Sequence, residues 1–312
     1  MQKNKFLTTL ILILIIAVIL AATVAILGGR VNGLKDEVSR LKEESLTASG
    51  EIDSLEGKIR SLEGELVNTR AENDLLKDEL GEMTRPLTKE ELRDLVYSLA
   101  PDSKLTAENI GARTDEYFQI YGITAGDPVY ERIYGRSYVD NPNIGLSDLS
   151  YIRMLHYDFD HGIRLGEMIV NADCADDIAA IFRTLYDNGY EIESMKLIEE
   201  FWAGDGESSD WASCGANNTS AFCYRLIAGG TGLSNHALGR AIDVNPLHNP
   251  FYYVSGGYPV DVADIYLPYM DRTSGDPHMI HYGDICQSTF EGYGFDWGGN
   301  WGSPVDYQHF ER

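Results

Sequence analysis

Apolar residues follow three successive patterns along this chain. From Phe6 to Leu27 they run without a charge, and the only hydroxyls are Thr8, Thr9 and Thr23. As one helix these 22 residues reach about 33 Å, the thickness of a bilayer's hydrocarbon core. Lys3 and Lys5 precede the run, and the positive-inside rule assigns that end to the cytoplasm. A cleaved signal peptide has a shorter apolar stretch, about 7–15 residues, and no cysteine lies near enough for a lipoprotein. Residues 1–29 are therefore expected to be a cytoplasmic tip and a single-pass cell-membrane anchor, with the rest extracytoplasmic.

The second pattern is a heptad repeat. With Val38 at an a position, the a series is Val38, Ser45, Ile52, Ile59, Leu66, Asn73 and Leu80. The d series is Leu34, Leu41, Ala48, Leu55, Leu62, Thr69, Leu76 and Met83. All but Ser45, Thr69 and Asn73 are apolar, and the phase never slips. Sustained 3,4 spacing specifies a coiled coil, and Ile or Val at a with Leu at d favours a parallel dimer. Residues 30–85 are expected to form this stalk, with Asn73 setting register. Gly50, Gly57, Gly64 and Gly81 each weaken the helix by roughly 1 kcal/mol relative to Ala. The competing reading is one amphipathic helix lying on the rest of the protein.

Arg85-Pro86 ends the heptads and begins the head, residues 86–312. Thr88 with Glu91 reads as a capping box opening a helix from Leu92 to Leu99. From Ala172 to Asn188 the positions Ile178, Ile181, Phe182 and Leu185 share one helical face, with Asp173, Asp176 and Asp177 near its start. Residues 87–170 read only as globular and partly helical. The composition is mixed α+β.

Charge and cysteine content narrow the function. The 312 residues are 44% hydrophobic, with 25 Lys and Arg against 49 Asp and Glu, a net charge of −24. That excludes a nucleic-acid partner, since phosphates call for clustered Lys and Arg, and it excludes charge-driven adhesion to anionic lipid. The four cysteines, Cys174, Cys214, Cys223 and Cys286, contain no C-x-x-C pair. They allow two disulfides, with Cys214 and Cys223 close enough to clip a loop, or four buried thiols.

The chemistry concentrates near the C-terminus. Ser234-Asn235-His236-Ala237-Leu238-Gly239-Arg240-Ala241-Ile242-Asp243 is followed much later by Asp306-Tyr307-Gln308-His309-Phe310. His236, Asp243 and His309 would give a metal an N, O, N set and leave a fourth position open. As hydrogen-bonded structural residues they would need no metal. Asp306, three residues before His309, suits a general base that deprotonates the attacking water and reprotonates the leaving amine. Arg225 either stabilises an oxyanion, grips a substrate carboxylate, or makes a structural salt bridge. Trp297 and Trp301 would wall a groove or fill the core. His156 and His161, beside Asp158 and Asp160, read as a surface cluster. His248, His278 and His281 read as structural or surface residues rather than a second metal site.

S-x-H-x-x-G-x-A-x-D followed by D-x-x-H-F resembles the LAS-type zinc metallopeptidases, the group of D-Ala-D-Ala carboxypeptidases and L-Ala-D-Glu endopeptidases. The likeness covers roughly Tyr117 to Phe310. It implies a small α+β domain whose central antiparallel sheet carries the zinc, with a zinc core over about 165–312. It further implies His236, Asp243 and His309 as Zn2+ ligands, Asp306 as general base, Arg225 as the transition-state and substrate arginine, and Ser234 as a site-shaping or substrate-contacting residue. The substrates implied are peptidoglycan stem peptides. Asp306-Tyr307-Gln308-His309 is closer to the endopeptidases than to the E-x-W-H of many D-Ala-D-Ala enzymes, and both specificities stay open. The alternative is a non-catalytic zinc-binding envelope scaffold on a dimeric stalk.

Overall fold

The computed structural model describes residues 2–228 and 230–312, and side chains are described outside 2–6 and 82–84. The side chains of Lys3, Lys5 and Met83, used above for orientation and for the last d position, lie outside the described residues. The chain forms two compact units that meet in sequence at Pro86 and Leu87.

In the first unit one helix, α1 (Gln2–Thr84), carries both the apolar run and the heptads without interruption. The helix is long and apolar enough at its N-terminal end to cross a membrane. Seam residues such as Leu34, Leu41, Ile52, Leu55, Ile59 and Leu62 are exposed. A helix with so wide an uncovered apolar stripe gains little from its own sequence and needs an apolar surround to be stable.

The second unit opens with α2 (Lys89–Ser98). The Thr88 hydroxyl accepts from the Glu91 amide at 3.2 Å, and the Glu91 carboxylate accepts from the Thr88 amide at 2.8 Å. This box makes Thr88 the cap, so the helix begins three residues before Leu92, and Leu92 and Val96 are buried.

The region 87–170 is partly helical, as expected, and it also contains a sheet that the sequence pattern did not announce. Strands β1 (Ser103–Leu105), β2 (Gln119–Gly122), β3 (Leu149–Tyr157) and β4 (Ile163–Asn171) form an antiparallel sheet in the order β1-β4-β3-β2. Nearly every residue of β3 and β4 is buried. Ile152, Met154, Met168 and Val170 join one apolar cluster, while Leu149, Tyr151 and Ile169 join another on the opposite face. A strand covered on both faces loses the apolar–polar alternation that announces a strand.

The helix Ala175–Asp187 packs on the first of these faces through Ile178, Ile181, Phe182 and Leu185. The three preceding residues form a 3₁₀ turn, because the Asn171 side chain caps the Asp173 amide at 3.1 Å. The same cluster continues through Ile242, Val244, Phe290, Phe295 and Phe310. One core thus joins the four-stranded sheet to the C-terminal strands that hold the functional residues.

Those strands are short. A two-residue parallel pair, β5 (Ser194–Met195) and β6 (Asn218–Thr219), precedes β7 (Ala241–Asp243), β8 (Phe251–Ser255) and β9 (Tyr258–Val260). Then follow β10 (Asp296–Trp297), β11 (Val305–Asp306) and β12 (His309–Glu311). They assemble as β10-β12-β7 and β11-β8-β9, both antiparallel. In place of one central sheet, the head therefore has several, and the site uses the two small ones.

One further reading is corrected. His156 is not on the surface but 1% exposed, with Nδ1 2.8 Å from the Ile192 carbonyl. Its carboxylate neighbour is Asp102 rather than Asp158, which instead accepts from Arg164 and the Gly162 amide. The four cysteines are buried free thiols, so the thiol alternative holds over the disulfides. Burial pushes each thiol above its ordinary value.

A buried ion network braces β3 and β4. Glu167 is 0% exposed and sits opposite Arg153 in register. Arg132 meets it with two bonds of 2.6 and 2.7 Å, and the Tyr151 hydroxyl donates to it at 2.7 Å. Removing one partner leaves the others' charge buried and unpaired. Glu167→Ala is expected to destabilise the head by about 3–5 kcal/mol, read from urea unfolding monitored by tryptophan fluorescence; a loss below about 1 kcal/mol would contradict this account.

Candidate metal centre

His236 lies in a 3₁₀ turn, Asn235–Leu238, whose cap is Ser234; the serine hydroxyl accepts from the His236 amide at 3.2 Å. The turn ends at Gly239, with φ +66°. A Cβ there would lie 2.5 Å from the Asn171 amide nitrogen and 2.9 Å from the Val170 carbonyl carbon. Glycine is thus needed both for the left-handed backbone and for close approach to the end of β4. The approach is bonded: the Asn171 amide donates to the Gly239 carbonyl at 2.8 Å, and the Asn171 side-chain amide donates to the Leu238 carbonyl at 2.9 Å. The chain then enters β7, with Ala241 and Ile242 fully buried, and reaches Asp243.

β12 pairs antiparallel with β7 so that His309 lies directly opposite Asp243. His309 Nδ1 is 3.0 Å from Asp243 Oδ1, and His236 Nε2 is 3.3 Å from Asp243 Oδ2. The two facing imidazole nitrogens, His236 Nε2 and His309 Nδ1, are 3.3 Å apart. Each ring's other nitrogen is already engaged. His236 Nδ1 is 2.6 Å from the Ala221 carbonyl, and His309 Nε2 is 2.9 Å from the Glu311 carboxylate. Both partners only accept, so those nitrogens carry protons, and the facing nitrogens are the ones that can give lone pairs to a cation once His309 Nδ1 releases the proton it shares with Asp243. Glu311 is itself held by the Asn235 side-chain amide at 2.8 Å. Three electron-pair donors converging in a buried spot are the arrangement of a cation site, and His236, Asp243 and His309 could hold a metal ion.

The charges respond to one another. Burial alone would lower the His309 pKa, but hydrogen bonds to Asp243 and Glu311 hold it up to about 10. Burial would raise Asp243, yet the two histidines hold its carboxyl far below the usual range. At Asp306 burial dominates and, with Asp243 and Asp210 nearby, pushes the carboxyl up to about 8 against His309 and Arg225.

A cavity of ≈ 370 Å³ opens over these residues and is lined also by Asp306 from β11, Ser234, Arg225 and Glu311. Asp306 Oδ1 is buried without a hydrogen-bond partner. Its backbone packs against Gly298, where a Cβ would come within 2.5 Å of the Asp306 carbonyl. Arg225 donates to Asp210 at 2.6 Å and to the Leu226 carbonyl at 3.3 Å, so it lines the cavity and forms a salt bridge at once. Of the two tryptophans, Trp301 lines the cavity; Trp297 belongs to the core and donates to the Tyr307 carbonyl at 2.9 Å.

Sequence reasoning missed Asp210, Glu311 and the aromatic wall of Trp211, Phe251, Tyr253 and Tyr266. Asp210, Cys214 and Asp243 bring one atom each within 4.8 Å of one another. Glu311 had a local signal, an acid two residues after a candidate ligand in the same strand; Asp210 had none. His248 and His278 gather with Asp276 outside this cavity, and His281 does not join them.

The docking of the His236 turn generates a test. Gly239→Ala places a methyl group against β4 backbone, and the turn must shift. The expected outcome is a stability loss of about 1–3 kcal/mol and weakened metal uptake, read by thermal unfolding with and without added zinc. Unchanged behaviour in both would show that the close approach is dispensable.

Residues 228–312 match the family model described as D-alanyl-D-alanine carboxypeptidase. No curated protein and no solved structure matches the chain. The match includes Ser234, His236, Asp243, Asp306 and His309 and begins just after Arg225. With the two motifs, the facing donors and this match in one place, the C-terminal region of the chain is a D-alanyl-D-alanine carboxypeptidase family domain.

Proposed function

We propose that the head is a zinc-dependent peptidase that hydrolyses peptidoglycan stem peptides, as a D-Ala-D-Ala carboxypeptidase or an L-Ala-D-Glu endopeptidase. The observation that carries this reading is the convergence of His236 Nε2, His309 Nδ1 and the Asp243 carboxylate at 3.0–3.3 Å within the family match. Tetrahedral zinc with bonds of about 2.0–2.1 Å separates its ligand atoms by about 3.3 Å. Two imidazoles and one carboxylate are also the donor types zinc accepts.

Zinc held by these residues supplies Lewis acidity, polarising a peptide carbonyl and acidifying water to a pKa of about 7. The chain's own groups do the rest. Ala221 and Glu311 fix the ring orientations through the far nitrogens. Asp306, whose Oδ1 has no protein partner, takes a proton from the attacking water and returns it to the leaving amine. Arg225, aimed by Asp210, grips a substrate carboxylate or the developing oxyanion. The aromatic wall excludes water from the reacting bond. Asp306 and Arg225 lining one cavity favours the enzyme over a zinc-binding scaffold, which needs neither.

The reading extends to the first unit. α1 anchors the protein in the cell membrane by one span with its N-terminus in the cytoplasm, and the heptads pair two chains in parallel. Roughly fifty stalk residues in one helix span about 75 Å.

Full-length protein in detergent, incubated with defined muropeptides, is expected to release D-Ala or to split L-Ala from D-Glu by mass spectrometry, and a chelator abolishes either product. Asp306→Asn should lower kcat by about 10²–10⁴-fold while zinc content is kept; full activity in that variant rejects the base assignment. For the stalk, Leu62→Cys at a d position should form an intermolecular disulfide under mild oxidation, whereas Gly64→Cys, on the outer face, should not. Equal crosslinking at both positions argues against the paired seam.

A further inference from the structure

A second group of donors lies outside the cavity, and the peptidase chemistry does not use it. His248 ends the 3₁₀ turn Pro246–His248, five residues after Asp243. Asp276 and His278 stand in the loop before the helix Ile285–Gly292. One donor atom from each of the three falls within 4.8 Å of the others. His248 Nδ1 is 2.7 Å from Asp276 Oδ2, and His278 Nδ1 is 3.3 Å from Asp276 Oδ1.

The far nitrogen of His278, Nε2, is 2.8 Å from Glu191 Oε2, while the other Glu191 oxygen meets His161. Glu191 accepts the Nε2 proton, so His278 Nδ1 is the nitrogen left to give a lone pair to a cation at Asp276. His248 Nδ1 faces the same carboxylate, and a bound cation would take the place of the protons that these two imidazole nitrogens share with Asp276. We infer that His248, Asp276 and His278 form a second divalent transition-metal site, with Glu191 as the carboxylate that orients His278.

The surrounding structure is built to hold these ligands still. The Arg272 guanidinium donates to the His248 carbonyl at 2.9 Å and to the Ile280 carbonyl at 2.7 Å. The Asn249 side chain donates to the His278 carbonyl at 3.1 Å and accepts from the Ile280 amide at 2.7 Å. These bonds tie the two ligand-bearing segments together by their backbones. Phe159 stacks on the His278 ring with centroids 3.4 Å apart and stands edge-on to His248, whose ring also meets Tyr269 at 4.3 Å. Rings packed in this way keep their rotamers, which preorganises the donors.

The ligand side chains are 16–19% exposed, so a cation reaches them from solvent. Two imidazoles with one carboxylate select zinc, cobalt, nickel or copper over magnesium or calcium, which want oxygen ligands. The ion's role is a clip: it joins the 276–278 loop to the segment that leaves Asp243.

The inference stands apart from the peptidase reading and is tested without activity. Full-length protein in detergent is equilibrated with zinc, desalted, and its zinc measured per chain by mass spectrometry. Wild type is expected to hold two zinc ions. Asp276→Asn, which keeps the shape of the side chain, and His248→Ala should each hold one. The double variant His236→Ala/His309→Ala should also hold one, and its thermal midpoint should rise on adding zinc. A single zinc in wild type that Asp276→Asn leaves in place overturns the inference and makes the cluster an ion-paired clasp only. A second zinc that survives Asp276→Asn overturns it equally, by placing that ion elsewhere.

Discussion

The pairing of β12 with β7 is the constraint on which the site depends. It puts His309 opposite Asp243 and, one step along, Phe310 opposite Ile242. Side chains alternate between faces of a strand, so a slip of one residue would exchange the metal-facing pair for the core pair. Phe310 is fully buried among Phe290, Phe295 and Trp297. The register is therefore held by apolar burial, and the converging donors follow from it. The His236 turn adds the third donor because Gly239 lets it press onto β4.

Electrostatics completes what packing begins. Asp210, Asp243, Asp306 and Glu311 line one cavity with Arg225. Carboxylates crowded away from water must gain protons or cationic partners. The protein's own cations answer part of this demand, Arg225 at Asp210 and His309 between Asp243 and Glu311. A divalent ion among the three donors would answer it more fully and free His309 of its proton. The site is thus preorganised by its unfavourable charge as well as by its geometry.

The four-stranded sheet explains why residues before the motifs matter. β3 and β4 are covered on both faces, and their central ion network, Arg132 and Arg153 with Glu167, ties the sheet to the outer segment around Arg132. The end of β4 receives the His236 turn through Asn171. A motif in the last third of the chain therefore rests on a sheet formed in the middle third.

Much was legible in the sequence because it rests on local periodicity or on short spacing. The apolar run and the heptads needed no tertiary contact, since helix phase alone lines up their residues, and α1 follows them without a break. The capping box at Thr88 and the helix face of Ile178 to Leu185 were readable for the same reason. The donors His236, Asp243 and His309 stood out by residue type and motif order. The doubly buried strands β3 and β4 escaped notice because burial on both faces erases alternation. Asp210 and the His248–Asp276–His278 cluster escaped it because their partners are brought together only by long-range folding. Tertiary structure alone decided that Arg225 serves the cavity and a salt bridge together, that Trp301 rather than Trp297 lines the site, and that the cysteines stay apart, since each depends on which distant segments pack side by side.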